Sequence, residues 1–296
     1  MHQVKICPVC KHTAFGNYLD LKDYFLSEES FSILQCKQCS FLLTSPVPDN
    51  NELPRYYASD EYISHSAKRK GLINSIYLLA RNYTVQSKFR IVDQRVSGKR
   101  ILDIGCGTGE LLGRFKSRGY ETSGIEPNED ARKFAAKAYQ LDIFNEEAIT
   151  GFESGRFDAV MMWHVLEHVA SLEERIMQIV RIMHKEGTLF VALPNCRSLD
   201  AKIYERYWAA WDVPRHLYHF TRDSVEKLFE KCGMAVQEVL PMKLDAFYIS
   251  MLSEKYRSGK RKFVKGLING WRSNIFAGKN NNEYSSLIYV IKMGQK

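Results

Sequence analysis

The sequence lacks the features that would place it across a membrane or outside the cell. No apolar run is both long enough and free enough of charge to span a bilayer. The first ten residues, MHQVKICPVC, contain neither an apolar h-region nor a small-residue cleavage site, so we expect no secretory signal. We therefore expect a cytoplasmic protein, where cysteines are more often ligands or core residues than disulfides.

Acidic residues are in the minority. The 296 residues include 34 Asp and Glu against 42 Lys and Arg, which gives a formal net charge of +8. Much of the excess lies in Lys68 to Lys70 and in Lys255 to Lys265. This balance permits anionic partners such as nucleic acid, sugar nucleotides or lipid headgroups, and does not choose among them. The length allows one domain of ordinary size plus a small appendage.

Short apolar strands alternate with helices from Lys99 onward, which predicts a doubly wound α/β sheet. The strands are expected over residues 101–104, 122–125, 157–163, 188–193, 235–240 and 285–293. The helices are expected over residues 110–118, 128–138 and 221–232, with another opening at Ser171. Asn128 is the expected N-cap of its helix, and residues 171–174, SLEE, have the form of a capping box.

Residues 101–109, ILDIGCGTG, form a strand that runs through a glycine-rich turn directly into a helix. Glycines there allow a ligand to approach the main chain closely. The spacing is G-x-G-x-G rather than the G-x-G-x-x-G of dinucleotide sites. Asp103, two positions before Gly105, fits a cationic ligand better than a phosphate. Glu126 closes the next strand, where a carboxylate can accept hydrogen bonds from both hydroxyls of a ribose.

With the strand, the glycine-rich turn, the helix and the two acids in this order, residues 99–195 resemble the class I S-adenosylmethionine-dependent methyltransferases. The resemblance implies a Rossmann-like, mostly parallel sheet of seven strands. It also implies a cofactor site that consists of Asp103, Gly105, Cys106, Gly107, Gly109, Glu126 and Pro127. The glycines would line the methionine and ribose, Glu126 would bind the ribose hydroxyls, and Pro127 would lie beside the adenine. A third contact, near the adenine amine, would come from Asp142, Asn145 or Glu146.

Residues 163–169, WHVLEHV, match a motif of the same group that borders the methyl-transfer site. His164 lies where its strand ends, and the carboxyl ends of strands are where open α/β sheets bind ligands. We therefore expect His164 to contact the cofactor or take part in catalysis. Glu167 and His168 either take part directly or cap and orient the following helix.

Two C-x-x-C pairs, Cys7 with Cys10 and Cys36 with Cys39, are separated by the 25 residues from Lys11 to Gln35. Four thiolates from two tight turns can complete a tetrahedral site, so we predict a zinc ribbon with a structural Zn²⁺. The gap is slightly wider than usual for a ribbon, and a redox dithiol is the alternative.

Residues 208–221, WAAWDVPRHLYHFT, lie between a strand end and a helix, where a substrate pocket is expected. They resemble a D-x-P-R-H-L-x-H-F signature of a bacterial methyltransferase subfamily with the same ribbon, often associated with surface glycans or secondary metabolites. Our candidate bases are His216 and His219, and Arg215 is the candidate anion contact. The substrate-binding set, including possible lid residues, is Tyr56, Tyr57, Tyr62, Arg215, His216 and Tyr218. The alternative is a structural network that fixes the loop.

The predicted organisation is a zinc-ribbon module over 1–45, a linker and helical lid over 46–97, and a methyltransferase domain over 98–296. A basic helical insertion is expected at about 244–282. The predicted function is methylation of a small-molecule or glycan-linked acceptor, sugar nucleotides included. The alternatives are an RNA methyltransferase, which the missing N-P-P-Y motif disfavours, and a non-catalytic cofactor sensor. Residues 263–272 have the Lys/Arg and Trp/Phe mix of a membrane-surface helix, although a solvated helix is the alternative.

Overall fold

A computed structural model describes residues 1–49, 51–57, 72–260 and 262–294, with the backbone alone over 72–78. Tyr62 and the basic run Lys68 to Lys70 lie outside the described residues. The strands are β1 (Phe15–Lys22), β2 (Ser30–Cys36), β3 (Leu42–Ser45), β4 (Arg100–Ile104), β5 (Glu121–Ile125), β6 (Asp142–Phe144), β7 (Phe157–Trp163), β8 (Met183–Pro194), β9 (Tyr218–His219), β10 (Met234–Pro241) and β11 (Ser286–Met293). The helices are α1 (Leu72–Asp93), α2 (Glu110–Lys116), α3 (Glu129–Tyr139), α4 (Leu172–Ile182), α5 (Leu199–Tyr204), α6 (Arg222–Lys231), α7 (Asp245–Ser258) and α8 (Phe263–Lys279).

The larger sheet has seven strands in the order β10-β11-β8-β7-β4-β5-β6. Strands β8, β7, β4, β5 and β6 pair in parallel, whereas β11 runs antiparallel to both of its neighbours. The doubly wound fold predicted from the alternating pattern is therefore confirmed. Strand β6 was missed because it has only three residues, none of them buried, and so carries no apolar run.

The smaller sheet is antiparallel, in the order β1-β2-β3-β9. Its first three strands come from the N-terminus, but β9 comes from the stretch between α5 and α6. Cys7, Val9 and Phe41 share one buried cluster with Leu228 and Phe229 of α6. The N-terminal module is thus continuous with the core of the larger sheet, and the domain boundaries read from the sequence remain predictions.

The helix ends follow the expected capping chemistry with one exception. Asn128 caps α3 by accepting a hydrogen bond from Ala131 N at 2.9 Å, as predicted. Thr221 and Ser224 form a capping box at the start of α6. Ser171 precedes α4 but its side chain makes no capping hydrogen bond, so the capping box predicted there was wrong.

Helices α7 and α8 form an antiparallel hairpin after β10, in the stretch where the basic insertion was expected. Among the residues described, no helix combines the length and the apolar character needed to cross a membrane. Helix α1 packs on the other side of the glycine-rich turn, through contacts with α2. These elements surround the carboxyl ends of β4, β5 and β7, where the candidate site lies.

Candidate functional site

Backbone angles and backbone hydrogen bonds define the shape of the glycine-rich turn between β4 and α2. Gly105, Gly107 and Gly109 have φ values of 73°, 53° and 77°, a region that favours glycine. The N–H groups of Gly105 and Cys106 donate to Ile125 O at 2.7 and 3.1 Å. A Cβ on Gly107 would meet no atom within 4 Å. The turn therefore presents open backbone at the point where a ligand would approach.

Asp103 lies beneath this turn as an almost fully buried carboxyl group whose Oδ1 has no hydrogen-bond partner. Burial raises its pKa to about 7, although nearby Lys88 opposes the rise. The Nζ of Lys88 lies 4.6 Å from the centre of the Trp163 ring. An unsatisfied buried acceptor beside an open backbone cradle fits a ligand that carries a cationic amino group.

Glu126, at the end of β5, faces the same turn. Its Oε2 accepts a hydrogen bond from Gly107 N at 2.8 Å, and its Oε1 accepts one from Asn128 N at 2.9 Å. The carboxylate is thereby fixed in orientation at the mouth of the turn while it stays partly exposed. Each oxygen retains a lone pair, so the geometry suits two ribose hydroxyls. Pro127, the next residue, is exposed beside it.

His164 follows β7 with a left-handed φ of 58°. This turn directs its ring between two carboxylates: Nε2 lies 3.1 Å from Asp245 Oδ2, and Nδ1 lies 3.5 Å from Glu167 Oε1. Burial opposes the charged form, but these two acids raise the pKa of His164 to about 9. The imidazole is therefore protonated at neutral pH. It can orient charge or a ligand, but it is poorly suited to accept a proton.

Glu167, His168 and His216 bring three ligand-type atoms within 4.8 Å of one another. The segment after β7 that holds Glu167 and His168 also places Val165 against Gly105 of the glycine-rich turn. The Nδ1 of His168 lies 3.0 Å from Arg215 O, and the Nδ1 of His216 lies 2.9 Å from Ala210 O. A carbonyl only accepts, so each Nδ1 carries a proton, and in a neutral ring Nε2 is then the acceptor.

The buried Glu167 carboxylate adds acceptors to this group, since its Oε2 has no hydrogen-bond partner and its Oε1 lies 3.5 Å from His164 Nδ1. Burial disfavours the charged form, yet the surrounding His164, His216 and His168 hold the pKa of Glu167 below its ordinary value. Burial and neighbouring His216 lower the pKa of His168 to about 4, so its ring is neutral. With Glu167 ionised and the His168 ring neutral, the group offers acceptors for a proton.

The four N-terminal cysteines come together as the spacing predicted. Cys7 Sγ lies 3.6 Å from Cys39 Sγ, and Cys10 Sγ lies 3.5 Å from Cys36 Sγ. All four sulfurs lie within 4.8 Å of one another, and none is in a disulfide. Thiolates at about 2.3 Å from a common tetrahedral centre would lie about 3.8 Å apart, so the observed sulfur geometry fits such a centre.

A family model described as a methyltransferase domain matches residues 77–239, which is more than half of the chain. The chain belongs to this family of S-adenosylmethionine-dependent methyltransferases. The resemblance noted for residues 99–195 is thereby confirmed. The match begins within α1 and ends within β10, so it contains the glycine-rich turn, Glu126 and the Glu167–His168–His216 group.

Curated relatives of this methyltransferase include enzymes named ubiquinone biosynthesis O-methyltransferase. The protein of Thiobacillus denitrificans is 30% identical over 170 residues, covering 52% of this chain and 73% of its own. The mitochondrial protein of Bos taurus is 28% identical over 168 residues, covering 51% of this chain and 45% of its own. The matched part of this chain thus spans less than half of the bovine relative.

Solved structures support the fold of the methyltransferase. The magnesium protoporphyrin IX methyltransferase of Synechocystis PCC 6803, solved with bound S-adenosylhomocysteine, aligns with a TM-score of 0.54 at 14% identity. The alignment covers 83% of this chain and all of that one. A methyltransferase from Archaeoglobus fulgidus aligns with a TM-score of 0.50 at 22% identity, covering 72% of this chain and 94% of that one.

Arg215 of the methyltransferase is not available to an acceptor, contrary to our prediction. Its guanidinium is 1% exposed and donates to Asp23 at 2.8 Å, to Asp212 at 2.7 Å and to Tyr56 O at 3.0 Å. Because Asp23 follows β1 and Arg215 precedes β9, the pair joins the small sheet to the loop that carries His216. The alternative interpretation, a network that fixes this loop, describes Arg215.

His219 is likewise enclosed, which favours a structural role over the predicted role as a base. Its Nε2 lies 2.9 Å from the hydroxyl of Thr44 in β3, whose proton goes to His216 O at 2.6 Å. The ring lies against Trp211, with 4.9 Å between centroids. Burial, reinforced by His216, holds the pKa of His219 well below its ordinary value. The residue therefore anchors the loop in a neutral form.

Of the three tyrosines in the predicted substrate-binding set that the structure describes, two bond within the fold and one borders the site. The hydroxyl of Tyr56 is bonded to Glu29 at 2.5 Å within a fully buried side chain. The hydroxyl of Tyr218 donates to Ala170 O at 2.9 Å. Both residues are structural. The hydroxyl of Tyr57 lies 3.2 Å from Nδ1 of His168, so Tyr57 is the tyrosine that borders the site.

The residues proposed for the adenine contact lie at the far edge of the sheet. Asp142, Asn145 and Glu146 are exposed, and Glu146 pairs with Arg175 at 2.5 Å. This pairing makes Glu146 the weakest of the three candidates. Cys106, placed in the predicted cofactor set, has its sulfur against Gly124 of β5, where burial raises the thiol pKa. It therefore fills space behind the turn.

Two residues of the site were missed by the sequence interpretation. Lys88 of α1 lies near Asp103 and Asp245, and burial lowers its pKa although both acids oppose this. Asp245 opens α7 and pairs with His164. Neither belongs to a motif, and each reaches the site from an element distant in sequence.

Proposed function

We propose that this methyltransferase methylates a hydroxyl group of a small-molecule or glycan-linked acceptor. The observation that carries the proposal is the Glu167–His168–His216 group, in which the segment after β7 also places Val165 against Gly105 of the glycine-rich turn. A hydroxyl must lose its proton when it is alkylated, and this group offers imidazole nitrogens and a carboxylate to receive it. The relatives' names support an oxygen acceptor.

The cofactor site fits S-adenosylmethionine through residues at the ends of β4 and β5. The buried Asp103 carboxyl with its unpartnered Oδ1 would hold the amino group, the open backbone at Gly107 would admit the methionine part, and Glu126 would bind the ribose. When bound, S-adenosylmethionine supplies a methyl group on a sulfonium that leaves as a neutral thioether.

The chain's own residues align the acceptor and take its proton. His216 holds a proton on Nδ1 against Ala210 O, and its Nε2 lies 3.9 Å from Asp212 Oδ2 and 4.0 Å from Glu167 Oε1. In the neutral ring, Nε2 would accept a hydrogen bond from the hydroxyl of the acceptor. As the oxygen–methyl bond forms, the proton passes to Nε2, and Glu167 stabilises the resulting imidazolium. His164, already cationic, would keep Glu167 ionised and in place.

The test begins with purified protein, labelled S-adenosylmethionine and a fractionated lysate of the source cell. Label in the low-molecular-weight or glycan fraction supports the proposal and isolates the acceptor, whereas label confined to RNA overturns it. With the acceptor in hand, His216→Gln should lower kcat by about 10²–10⁴. Affinity for S-adenosylmethionine should stay unchanged by calorimetry. Unaltered kcat would remove His216 from catalysis.

We further propose that the four-cysteine cluster holds one structural Zn²⁺. The four thiolates leave no open coordination position, so the ion would stabilise the small sheet without acting in methyl transfer. Elemental analysis of the purified protein should find one zinc per chain. Cys39→Ser should abolish it and lower the melting temperature, whereas Cys232→Ser, outside the cluster, should not change the zinc content. A metal-free protein whose cysteines pair on mild oxidation would support the redox alternative.

A further inference from the structure

Helix α8 buries its small and polar side chains and exposes its large apolar ones. The buried residues are Gly266, Asn269, Gly270, Ser273 and Ala277. The exposed ones, here called the α8 apolar face, are Phe263, Val264, Leu267, Ile268, Trp271 and Ile275, each between 41% and 70% exposed. This is the reverse of the usual arrangement in a globular protein, where the apolar stripe faces the core.

The orientation of α8 is fixed by its packing against α7. A Cβ on Gly266 would lie 2.7 Å from Met251 Cα, and a Cβ on Gly270 would lie 2.8 Å from Ala246 O, so only glycine permits this approach. The buried Ser273 donates to Asp200 at 2.6 Å. Rotating the helix to hide its apolar face would break this contact and drive larger residues into α7. The apolar face is therefore a stable feature of the fold.

The charge of the same segment has a single sign. Residues 255–282 contain eight Lys and Arg and no Asp or Glu. At about 100° per residue, the α8 apolar face covers roughly 140° of the helix, and Lys265, Arg272 and Lys279 occupy roughly the next 60°. All three cations are exposed. A cationic stripe thus borders the apolar face along the helix.

We infer that α8 lies flat in the surface of an anionic lipid bilayer, with its apolar face among the acyl chains and its cations at the headgroups. Aromatic and aliphatic residues beside Lys and Arg are what a helix in the interfacial plane requires. Polyphosphate chains such as RNA would need cations at the centre of the face, where Leu267 and Trp271 lie instead. An anionic bilayer matches both the α8 apolar face and the cationic stripe, because it offers acyl chains and negatively charged headgroups together.

Partition of the full-length protein onto vesicles tests the inference. Vesicles of phosphatidylcholine with a quarter of phosphatidylglycerol should bind it, and vesicles of phosphatidylcholine alone should bind it far less. The double variant Ile268→Ser/Trp271→Ser should lower the partition coefficient at least about tenfold, since two large apolar contacts are lost. Arg272→Gln should lower it about fivefold, and added salt should weaken binding of the parent protein.

Matched controls lie elsewhere on the surface. Met177 of α4 is 51% exposed, and Lys185 is exposed in β8. Met177→Ser and Lys185→Gln should leave partition unchanged, and thermal unfolding should show that all variants remain folded. Equal binding to both vesicle types would overturn the inference. A second outcome would also overturn the inference: the protein does not bind vesicles but dimerises through this face. Light scattering would then show a dimer that Ile268→Ser/Trp271→Ser converts to a monomer. Neither outcome depends on methylation activity, so failure here is distinct from failure of the proposed reaction.

Discussion

Replacing Arg215 by Gln should destabilise the protein without a specific effect on acceptor binding. The guanidinium is 1% exposed and Asp23, its partner from the small sheet, is 0% exposed. Gln is shorter than Arg and carries no charge. The variant would therefore leave the Asp23 carboxylate buried without a cation, and it would also remove the donor to Tyr56 O.

The size of the loss in stability depends on the hydrogen bonds that Asp23 keeps in the variant. Breaking a buried ion pair by removing one partner costs about 3–5 kcal/mol, mostly because the remaining charge is stranded. Asp23 still accepts backbone hydrogen bonds from Phe25, Leu26 and Ser27 at 2.9–3.2 Å. These bonds partly solvate its charge, so we expect the lower end, about 3 kcal/mol. This is a fall of more than 100-fold in the ratio of folded to unfolded protein.

The loss should depend on pH with a definite sign. Burial tends to raise the pKa of Asp23, but Arg215 and the backbone donor Ser27 hold it below its ordinary value. A carboxyl with a depressed folded-state pKa stabilises above its unfolded value of about 3.9, and this contribution disappears as the pH falls through the folded-state pKa. The difference between the parent protein and Arg215→Gln should therefore be full at neutral pH and should shrink below about pH 4.

Urea unfolding followed by tryptophan fluorescence measures the effect. Arg95→Gln is the matched control, because Arg95 also pairs with a carboxylate, Glu238, but at a partly exposed position. It should cost less than about 1 kcal/mol. If Arg215→Gln costs no more than the control and instead raises KM for the acceptor, the structural assignment is refuted and the anion-contact interpretation of Arg215 is restored.

Three other predictions address separate parts of the molecule. Asp200 accepts hydrogen bonds from Trp208 Nε1, Ser273 and Ser285 at 2.6–2.7 Å. Asp200→Ala should therefore lower the free energy of unfolding in urea by about 3–5 kcal/mol. A cost below about 1 kcal/mol would contradict the role of Asp200 in joining α5 to α8 and to the start of β11. His219 stays neutral in the fold while the unfolded chain takes up a proton below about pH 6.5, so stability should fall as the pH drops from 6.5 to 5. Replacing His219 by Gln should flatten that slope by about 1.4 kcal/mol per pH unit, and an unchanged slope would show that His219 titrates normally. Glu126→Ala should weaken S-adenosylmethionine binding in calorimetry by at least tenfold, because two charge-assisted hydrogen bonds are lost, and unchanged affinity would exclude the ribose role.

The cofactor loop was readable from sequence because its chemistry is local. Gly105, Gly107 and Gly109 are required by backbone angles within one turn, and Asp103 and Glu126 lie at strand ends that neighbouring parallel strands bring to one edge. The cysteine pairs were readable for the same reason, since two thiols of one C-x-x-C turn are near each other in any fold that contains the turn. Short-range geometry fixes both features.

The role of Arg215 could not be read in this way. An arginine that binds a substrate anion and one that binds a buried carboxylate have the same side chain and the same hydrogen-bonding fork. The difference is Asp23, which lies 192 residues earlier and reaches Arg215 only when β9 joins β3. His164 is a parallel case, because Asp245 on α7 turns a candidate base into a cation.

The sequence by itself thus determined the fold class, the cofactor loop and the cysteine cluster, where the deciding contacts lie within one turn or between adjacent strands. Tertiary structure alone decided which histidine lies between two carboxylates, which arginine is enclosed and which face of α8 is exposed. Protonation and exposure depend on burial and on charges brought from distant segments, and neither quantity is a property of a residue and its neighbours in sequence.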